Sequence, residues 1–461
     1  MKRIAIIGGG LSGLSAAYQL ARDAQVEFTL FESSSRLGGI IETIHQDGFT
    51  IELGPDSWVT EKPQARELAI ELGLESEIIP SNDRQRRTYL LKDTRLIPMP
   101  DGMRMVVPSD LAAINSSPLF TEQARLAYQR EPERTAELKV SALKENQDES
   151  VASFVRRHFG DEVTRTLAGP LLAGVFGGDI DTLSARAVMP AFVKMEREHG
   201  SLIRAMQPRA NQGTNSVFTS LRSGLGALID RMAATLPAES IQLSHEVTAL
   251  NHTAQDWQLI TGNSKQSFDA VIIATPAHVT RNLLHPLHDH FDRLLAMEAT
   301  SAITIAFAFL PDQAPALIIP RGFGYLVPPT PGEDSQLLAC TFVDQKFSHR
   351  VPDGGILLRA FFGGAAAQAH LNDSDNALAA LALRRLSEVL GPLPSPHIAL
   401  VRRLPQSLPQ YAVGHLERMA QLESIVKGFP GLHLAGNAYY GVGLPDMVRI
   451  GREAAHRAAQ S

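Results

Sequence analysis

The stretch Ile4-Ala5-Ile6-Ile7-Gly8-Gly9-Gly10-Leu11-Ser12-Gly13 constrains the fold of this chain more than any other part of it. An apolar run of strand length leads straight into glycines spaced G-x-G-x-x-G, the turn that receives a dinucleotide pyrophosphate. Gly8 permits the tight turn, Gly10 lets the backbone approach the phosphates, and Gly13 lets the next helix pack on the strand. Leu11 and Ser12 belong to the same turn, and the helix, read as Leu14 to Ala21, points its N-terminal dipole at the anion. A second apolar run, Val26 to Phe31, ends at Glu32, which is 32 − 13 = 19 residues past the last glycine, where an acid accepts hydrogen bonds from a ribose diol. Together these features predict an α/β, Rossmann-like unit.

The residues that follow separate two kinds of dinucleotide. Ser33-Ser34-Ser35-Arg36-Leu37-Gly38-Gly39 carries a second glycine pair, which lets backbone amides and Arg36 close over a pyrophosphate. Simple NAD dehydrogenases do not usually have it. Glu52-Leu53-Gly54-Pro55-Asp56-Ser57 then brings a further glycine turn toward an isoalloxazine ring. This combination resembles the FAD-binding signature of the monoamine oxidase and protoporphyrinogen oxidase superfamily, and the resemblance implies FAD, expected to be non-covalent from the position of the single cysteine, Cys340.

With 461 residues, the chain exceeds what one core usually organises, and about two domains are expected. A net charge of −6 without a dense basic run beyond Arg84-Gln85-Arg86-Arg87 gives no reason to expect a nucleic-acid partner. The single cysteine, Cys340, excludes an internal disulfide and a cysteine metal cluster, and reads as a small buried apolar residue. Fifteen histidines are dispersed without ligand spacing, so no metal site is expected. The nucleotide strand begins at Arg3, leaving no room for a secretory signal before it, and no apolar run reaches the twenty or so residues of a membrane span. A cytoplasmic location is expected.

The resemblance implies a nucleotide domain assembled from separated segments. Glu246-Val247-Thr248-Ala249-Leu250 and Trp257 to Ile260 read as strands, and Val247 is the position that faces adenine. Phe268 to Pro276 is an apolar strand returning to the nucleotide sheet near Thr275. The third return is Gly431 to Gly436 and Asn437, then Ala438-Tyr439-Tyr440-Gly441-Val442-Gly443-Leu444-Pro445-Asp446 and a helix from about Met447 to Ala459. Gly436, Val442, Gly443 and Leu444 meet the flavin there as the helix aims its N-terminus at it. The expected division is 1–85, 210–295 and 410–461 for FAD; 86–108, 184–209 and 296–409 for an antiparallel-sheet substrate domain; and 109–183 for a mostly helical insertion. Within 300–409 we expect strands, among them Ser301 to Leu310 and Gly355 to Phe362, joined by Pro-rich loops.

The insertions narrow the resemblance. Leu96 to Gly102, Asp148 to Gly160, Leu171 to Asp179, His199 to Arg204, Leu408 to His415 and Gly436 to Asp446 are similar to blocks of the oxygen-dependent porphyrinogen oxidases of haem synthesis, the C-terminal block most of all to the bacterial coproporphyrinogen III branch. The family implies a porphyrinogen substrate, coproporphyrinogen III or protoporphyrinogen IX. It also implies dioxygen as acceptor, three two-electron steps and hydrogen peroxide as product. The cofactor carries that chemistry, and the protein supplies a flat apolar slot and cations for the propionates. No catalytic side chain is named. Candidate cations are Arg86, Arg87, Arg95, Lys194, Arg204 and Arg209, each with a reading as a solvated surface charge. The mitochondrial branch has an arginine near the Arg87-Thr88 junction, where ungapped matching puts Thr88. His415 is either near the flavin or a structural histidine, and Tyr439 and Tyr440 are either slot or core residues.

An amine oxidase or carotenoid desaturase of the same fold, or a flavin-binding scaffold without turnover, are the competing readings. Cys340 lies 436 − 340 = 96 residues before Gly436, which rules out covalent flavin at the cysteine position of covalent amine oxidases. For the membrane, Leu167 to Phe176 with Arg156, Arg157 and Arg165 could lie on a bilayer surface at the inner face of the cell membrane. Burial of these apolar residues within the protein is the preferred reading, leaving at most weak, salt-sensitive attachment.

Overall fold

Strand β1 (Lys2–Ile7) has Ile4, Ala5 and Ile6 wholly buried because parallel strands flank it on both sides. The computed structural model describes residues 1–23, 25–144, 146–207, 216–253, 256–328 and 337–461. In it β1 pairs with β2 (Val26–Phe31) on one side and with Ala270–Ile273 on the other. Ile241–Gln242 and Leu432–Leu434 complete a five-stranded parallel sheet drawn from distant parts of the chain. Helix α1 (Leu11–Asp23) starts three residues earlier than the sequence suggests, so Leu11 and Ser12 form its first turn. It packs against the C-terminal helix Leu444–Gln460 at close range: a Cβ on Gly451 would sit 2.2 Å from the Ser12 carbonyl oxygen. Val247–His252, Trp257–Thr261 and Ser264–Phe268 form an antiparallel layer whose apolar side joins Ala5, Ile7 and Phe31 in one core.

A second sheet has seven strands, in the order Ile398–Pro409, Ala299–Phe309, Ile356–Gly363, Ala339–Phe342, Gly324–Leu326, Thr88–Lys92 and Arg95–Pro98. All its pairings are antiparallel except Gly324–Leu326 with Thr88–Lys92, which is parallel. Along Ala299–Phe309 the two-residue period sends Ile303, Ile305, Phe307 and Phe309 into one core and Ala306 and Ala308 into another. Residues 300–409 also contain helix Asp375–Leu390, which the reading as strands and loops omitted. Ser374 caps it, its Oγ accepting the Ala377 N–H at 3.3 Å, and Leu378, Ala382, Leu386 and Leu390 form its buried stripe.

Another core is mostly helical. Helices Glu122–Arg130, Val151–Val163, Gly169–Phe176, Pro190–His199 and Leu202–Met206 bury Tyr128, Phe154, Phe159, Leu167, Leu172, Phe176, Phe192 and Leu202 together. Residues 185–206 pack into this core, which also takes in Leu90 and Ile97 from the seven-stranded sheet. Leu167, Leu172 and Phe176 face this interior, and Arg157 is tied to Glu149 and Glu196. Arg156 pairs with Asp161 at 2.6 Å, while Arg165 is exposed. Among the described residues, no helix is long and apolar enough to cross a membrane.

Candidate flavin site

At the end of β1 the chain turns through Gly8, whose φ of +108° and a virtual Cβ 2.7 Å from the Ala274 carbonyl oxygen admit only glycine. Gly13 is equally restricted, since a Cβ there would lie 1.9 Å from the Gly8 carbonyl oxygen. Gly10 differs: the nearest atom to its virtual Cβ is Gly39 Cα at 3.9 Å, so the space beside it is open within the protein. The second glycine pair arrives there, with the Gly38 N–H donating to Gly9 O at 2.8 Å and a Gly39 Cβ falling 3.1 Å from Gly10 Cα. The Glu32 carboxylate accepts the Gly9 N–H at 2.7 Å and the Ser34 N–H at 2.8 Å, which fixes it beside the turn; Ser33 is exposed next to it. The His245 N–H donates to Glu32 O at 2.9 Å, bringing the start of Val247–His252 across the same strand end.

The other turns join this group through backbone contacts. A Cβ on Gly54 would lie 1.9 Å from Ile40 O, so the Gly54-Pro55 turn rests on the second glycine loop. Thr275 adjoins Gly8, its Cγ2 lying 3.4 Å from the virtual Cβ, and a Cβ on Gly436 would be 3.8 Å from Thr275 O. Gly443 precedes the first turn of helix Leu444–Gln460, in which Leu444 is buried, and Val442 packs on the helical core. Asp446, in that first turn, accepts Lys62 Nζ at 2.7 Å and 2.8 Å, linking the helix to the chain just past Ser57.

Tyr411 and His415 support the third turn from below. The Tyr411 hydroxyl donates to Asn437 O at 2.5 Å and accepts the Gly441 N–H at 2.9 Å, and His415 Nε2 meets Tyr439 O at 2.8 Å. His415 is therefore a buried structural residue, and burial depresses its imidazolium. Tyr439 is core, its phenol pushed up to about 12 by burial, whereas Tyr440 is 39% exposed. Among the propionate candidates, Arg86 and Arg87 are exposed where the chain enters Thr88–Lys92, Arg95 is exposed beside the hairpin turn, and Lys194 and Arg204 are exposed on helices. Arg86 lies 3.9 Å from Asp83 and Lys194 3.8 Å from Glu198. Arg209 lies outside the described residues.

The profile of the flavin containing amine oxidoreductases matches residues 11–459 of the chain. The chain belongs to that family, in its porphyrinogen oxidase branch. It is 33% identical to the coproporphyrinogen III oxidase of Bacillus subtilis (strain 168), over 98% of this chain and 97% of that protein. Protoporphyrinogen oxidase 1, chloroplastic, of Arabidopsis thaliana is 28% identical over 95% of this chain and 84% of that one. A crystal structure from Exiguobacterium sp. 255-15, provisionally named a protoporphyrinogen oxidase, superposes with a TM-score of 0.86 at 32% identity and covers 100% of this chain and 99% of its own.

As a flavin oxidoreductase the chain has a site that suits its cofactor. The open space beside Gly10 is where a side chain is missing rather than where one is packed, and Ser12 Oγ, buried at the first turn of α1, has no hydrogen-bond partner among the described residues. What sequence reasoning missed is a set of buried cations from the seven-stranded sheet and the segment next to it. Lys346 Nζ holds the Asp56 carboxylate at 2.9 Å and 3.0 Å, Arg359 Nη1 approaches Asp56 Oδ2 at 3.2 Å, and Arg350 Nη1 lies 3.5 Å from Glu52 Oε1. Burial alone would raise the Asp56 carboxyl, but Lys346 and Arg359 outweigh it and hold it well below the usual carboxylate range. The signal was available in Leu357-Leu358-Arg359-Ala360-Phe361-Phe362, since an arginine inside an apolar strand needs a buried partner.

Proposed function

We propose that this flavin oxidoreductase aromatises a porphyrinogen, coproporphyrinogen III before protoporphyrinogen IX, with non-covalent FAD and dioxygen as acceptor in haem synthesis. The supporting observation is full-length similarity: 33% identity to a coproporphyrinogen III oxidase over 98% of the chain, against 28% to a protoporphyrinogen oxidase. When bound, the flavin supplies the two-electron oxidations; each macrocycle loses six hydrogens, and three dioxygen molecules become three hydrogen peroxides. The chain's own residues bind and orient. In this reading Gly8, Gly10, Leu11, Ser12, Gly13, Arg36, Gly38 and Gly39 surround the pyrophosphate, Glu32 and Ser33 the ribose, and Val247 the adenine. Gly54, Pro55, Asp56, Ser57, Thr275, Gly436, Val442, Gly443 and Leu444 take the isoalloxazine end. Non-covalent binding is supported by Cys340, which is buried in the seven-stranded sheet opposite Tyr325 and Ala360.

In the same reading the FAD domain comprises 1–85, 210–295 and 410–461, and the seven-stranded sheet is the substrate domain. Arg86 and Arg87 are the propionate cations of choice, because they lie together at the entry of that sheet, where the Phe323 N–H donates to Arg87 O at 2.8 Å. The burial of Leu167, Leu172 and Phe176 favours a cytoplasmic protein with at most weak, salt-sensitive contact with the inner face of the membrane. Aerobic incubation of the purified protein with each porphyrinogen in parallel, followed by porphyrin fluorescence and peroxide assay, tests the assignment. Faster porphyrin formation from coproporphyrinogen III is expected. No porphyrin from either substrate would refute it.

A further inference from the structure

Three consecutive carbonyl oxygens, those of Gly39, Ile40 and Ile41, are each bound by a guanidinium. Arg36 donates from Nη1 to Ile41 O at 3.0 Å and from Nη2 to Gly39 O at 2.7 Å. Arg402 donates from Nη1 to Ile40 O at 3.0 Å and from Nη2 to Gly39 O at 2.7 Å. Arg36 belongs to the loop itself. Arg402 reaches it from strand Ile398–Pro409, the edge of the seven-stranded sheet, 362 residues further along the chain from Ile40. The Glu42 carboxylate offsets part of their charge, 2.9 Å from Arg402 Nε and 3.7 Å from Arg36 Nη2. Arg359, on strand Ile356–Gly363, which is separated from Arg402's strand by Ala299–Phe309, treats the adjoining turn alike by donating to Gly54 O. The sheet that builds the substrate side thus grips the backbone of both turns.

A peptide unit is planar, with its C=O and N–H on opposite sides. Holding Gly39 O toward Arg402 therefore fixes the Ile40 N–H on the side away from that arginine. One planar guanidinium can hold two successive carbonyls, which the single ammonium of a lysine cannot do in the same fixed geometry. We propose that Arg402 is a positioning residue for the flavin: it sets the peptide planes at Gly39 and Ile40 from the substrate sheet, so that cofactor affinity depends on how that sheet is seated. The proposal rests on the reading of the Gly38-Gly39 loop as flavin-facing.

Strand alternation supplies an internal control. Arg403, the next residue, points to the other side of the strand, where it pairs with Asp375 at 2.6 Å and donates to Asp373 O. Apo-protein of wild type, Arg402→Met, Arg402→Lys and Arg403→Met is titrated with FAD by fluorescence quenching, the visible flavin spectrum of each holoprotein is recorded, and apo unfolding is followed in parallel. Arg402→Met is expected to weaken FAD binding about tenfold or more and to shift the flavin bands, Arg402→Lys to recover part of the loss, and Arg403→Met to stay within about twofold of wild type. Wild-type affinity and spectrum in Arg402→Met would overturn the proposal. So would equal losses in Arg402→Met and Arg403→Met that track their apo stability. Should Arg402→Met fail to fold, Arg402→Lys decides on the same two readouts, wild-type values again overturning it. A wild-type protein that binds no FAD would overturn the flavin reading of the site itself, and the proposal with it.

Discussion

Tyr411 and His415 stack with ring centroids 3.9 Å apart and planes 12° from parallel, and both reach upward to the turn that precedes the C-terminal helix. The hydroxyl of Tyr411 is the only part of this prop that Phe would lack, and it serves two backbone groups, Asn437 O and the Gly441 N–H. Tyr411→Phe keeps the stacked ring but leaves a carbonyl and an amide unpaired in a partly buried place. A loss of about 1–3 kcal/mol in unfolding free energy is expected, together with weaker FAD retention on gel filtration. Unchanged stability and flavin content would show that the turn does not depend on the hydroxyl.

How far the sequence anticipates this site depends on the range of the interactions. The Gly8-to-Gly13 turn is legible because its demands are local: a positive φ at Gly8 and a backbone oxygen 1.9 Å from a Cβ at Gly13 leave no choice of residue. The strand at Ala270–Ile273 is legible as an unbroken apolar run, as a strand buried on both faces must be. Arg359, Arg402 and Lys346 were not read as site residues. Their partners lie 305, 362 and 290 residues away in the chain; the register of the seven-stranded sheet decides which side of a strand Arg359 and Arg402 take, and Lys346 is placed by the short helix Val343–Lys346 that follows strand Ala339–Phe342. Helix Asp375–Leu390 had a legible cap and a four-residue apolar period, which the Pro-rich surroundings obscured.

The Glu32 carboxylate is predicted to act on the turn as well as on the ribose. It accepts the N–H of Gly9 at 2.7 Å and of Ser34 at 2.8 Å, so Glu32→Ala frees two amides beside the nucleotide. Each charge-assisted hydrogen bond contributes about 1.5–3 kcal/mol, and FAD content after dialysis should fall steeply in Glu32→Ala and less in Glu32→Asp. Equal FAD in wild type and Glu32→Ala would remove the ribose assignment.

His158 makes the helical core sensitive to alkali. It is wholly buried between Glu131 and Glu196, each 2.9 Å from a ring nitrogen. Burial alone would depress the imidazolium, but the two carboxylates outweigh it and raise His158 above its ordinary range. A raised folded-state value means that the stabilisation is full below the unfolded pKa of about 6.5 and is lost as the pH climbs through the folded value. Burial opposes ionisation of Glu196 too, yet His158 and Arg157 lower its pKa, so its contribution is present above about pH 4.5 and fades in acid. His158→Gln should cost about 3–5 kcal/mol near pH 6 and progressively less at higher pH. Hydrogen exchange of helix Val151–Val163 from pH 6 to 9 checks this, and a wild-type advantage that stays constant across the range would contradict it.

Gly10 and Gly13 should fail in different ways when each is replaced by alanine. A Cβ on Gly13 would lie 1.9 Å from Gly8 O, a clash within the protein itself, so Gly13→Ala should lower stability whether or not flavin is present. At Gly10 the nearest atom to a Cβ is Gly39 Cα at 3.9 Å, and Gly10 is not among the glycines with positive φ, so the apo protein should accept alanine without strain. The added methyl then occupies only the gap between the two glycine loops, the space assigned to the pyrophosphate. At about 1–3 kcal/mol for overpacking, the affinity for FAD should drop up to about a hundredfold while apo Tm stays at the wild-type value. Calorimetry of apo Gly10→Ala beside an FAD titration separates the two effects. If Gly10→Ala binds FAD as wild type does, the pyrophosphate does not lie between these loops.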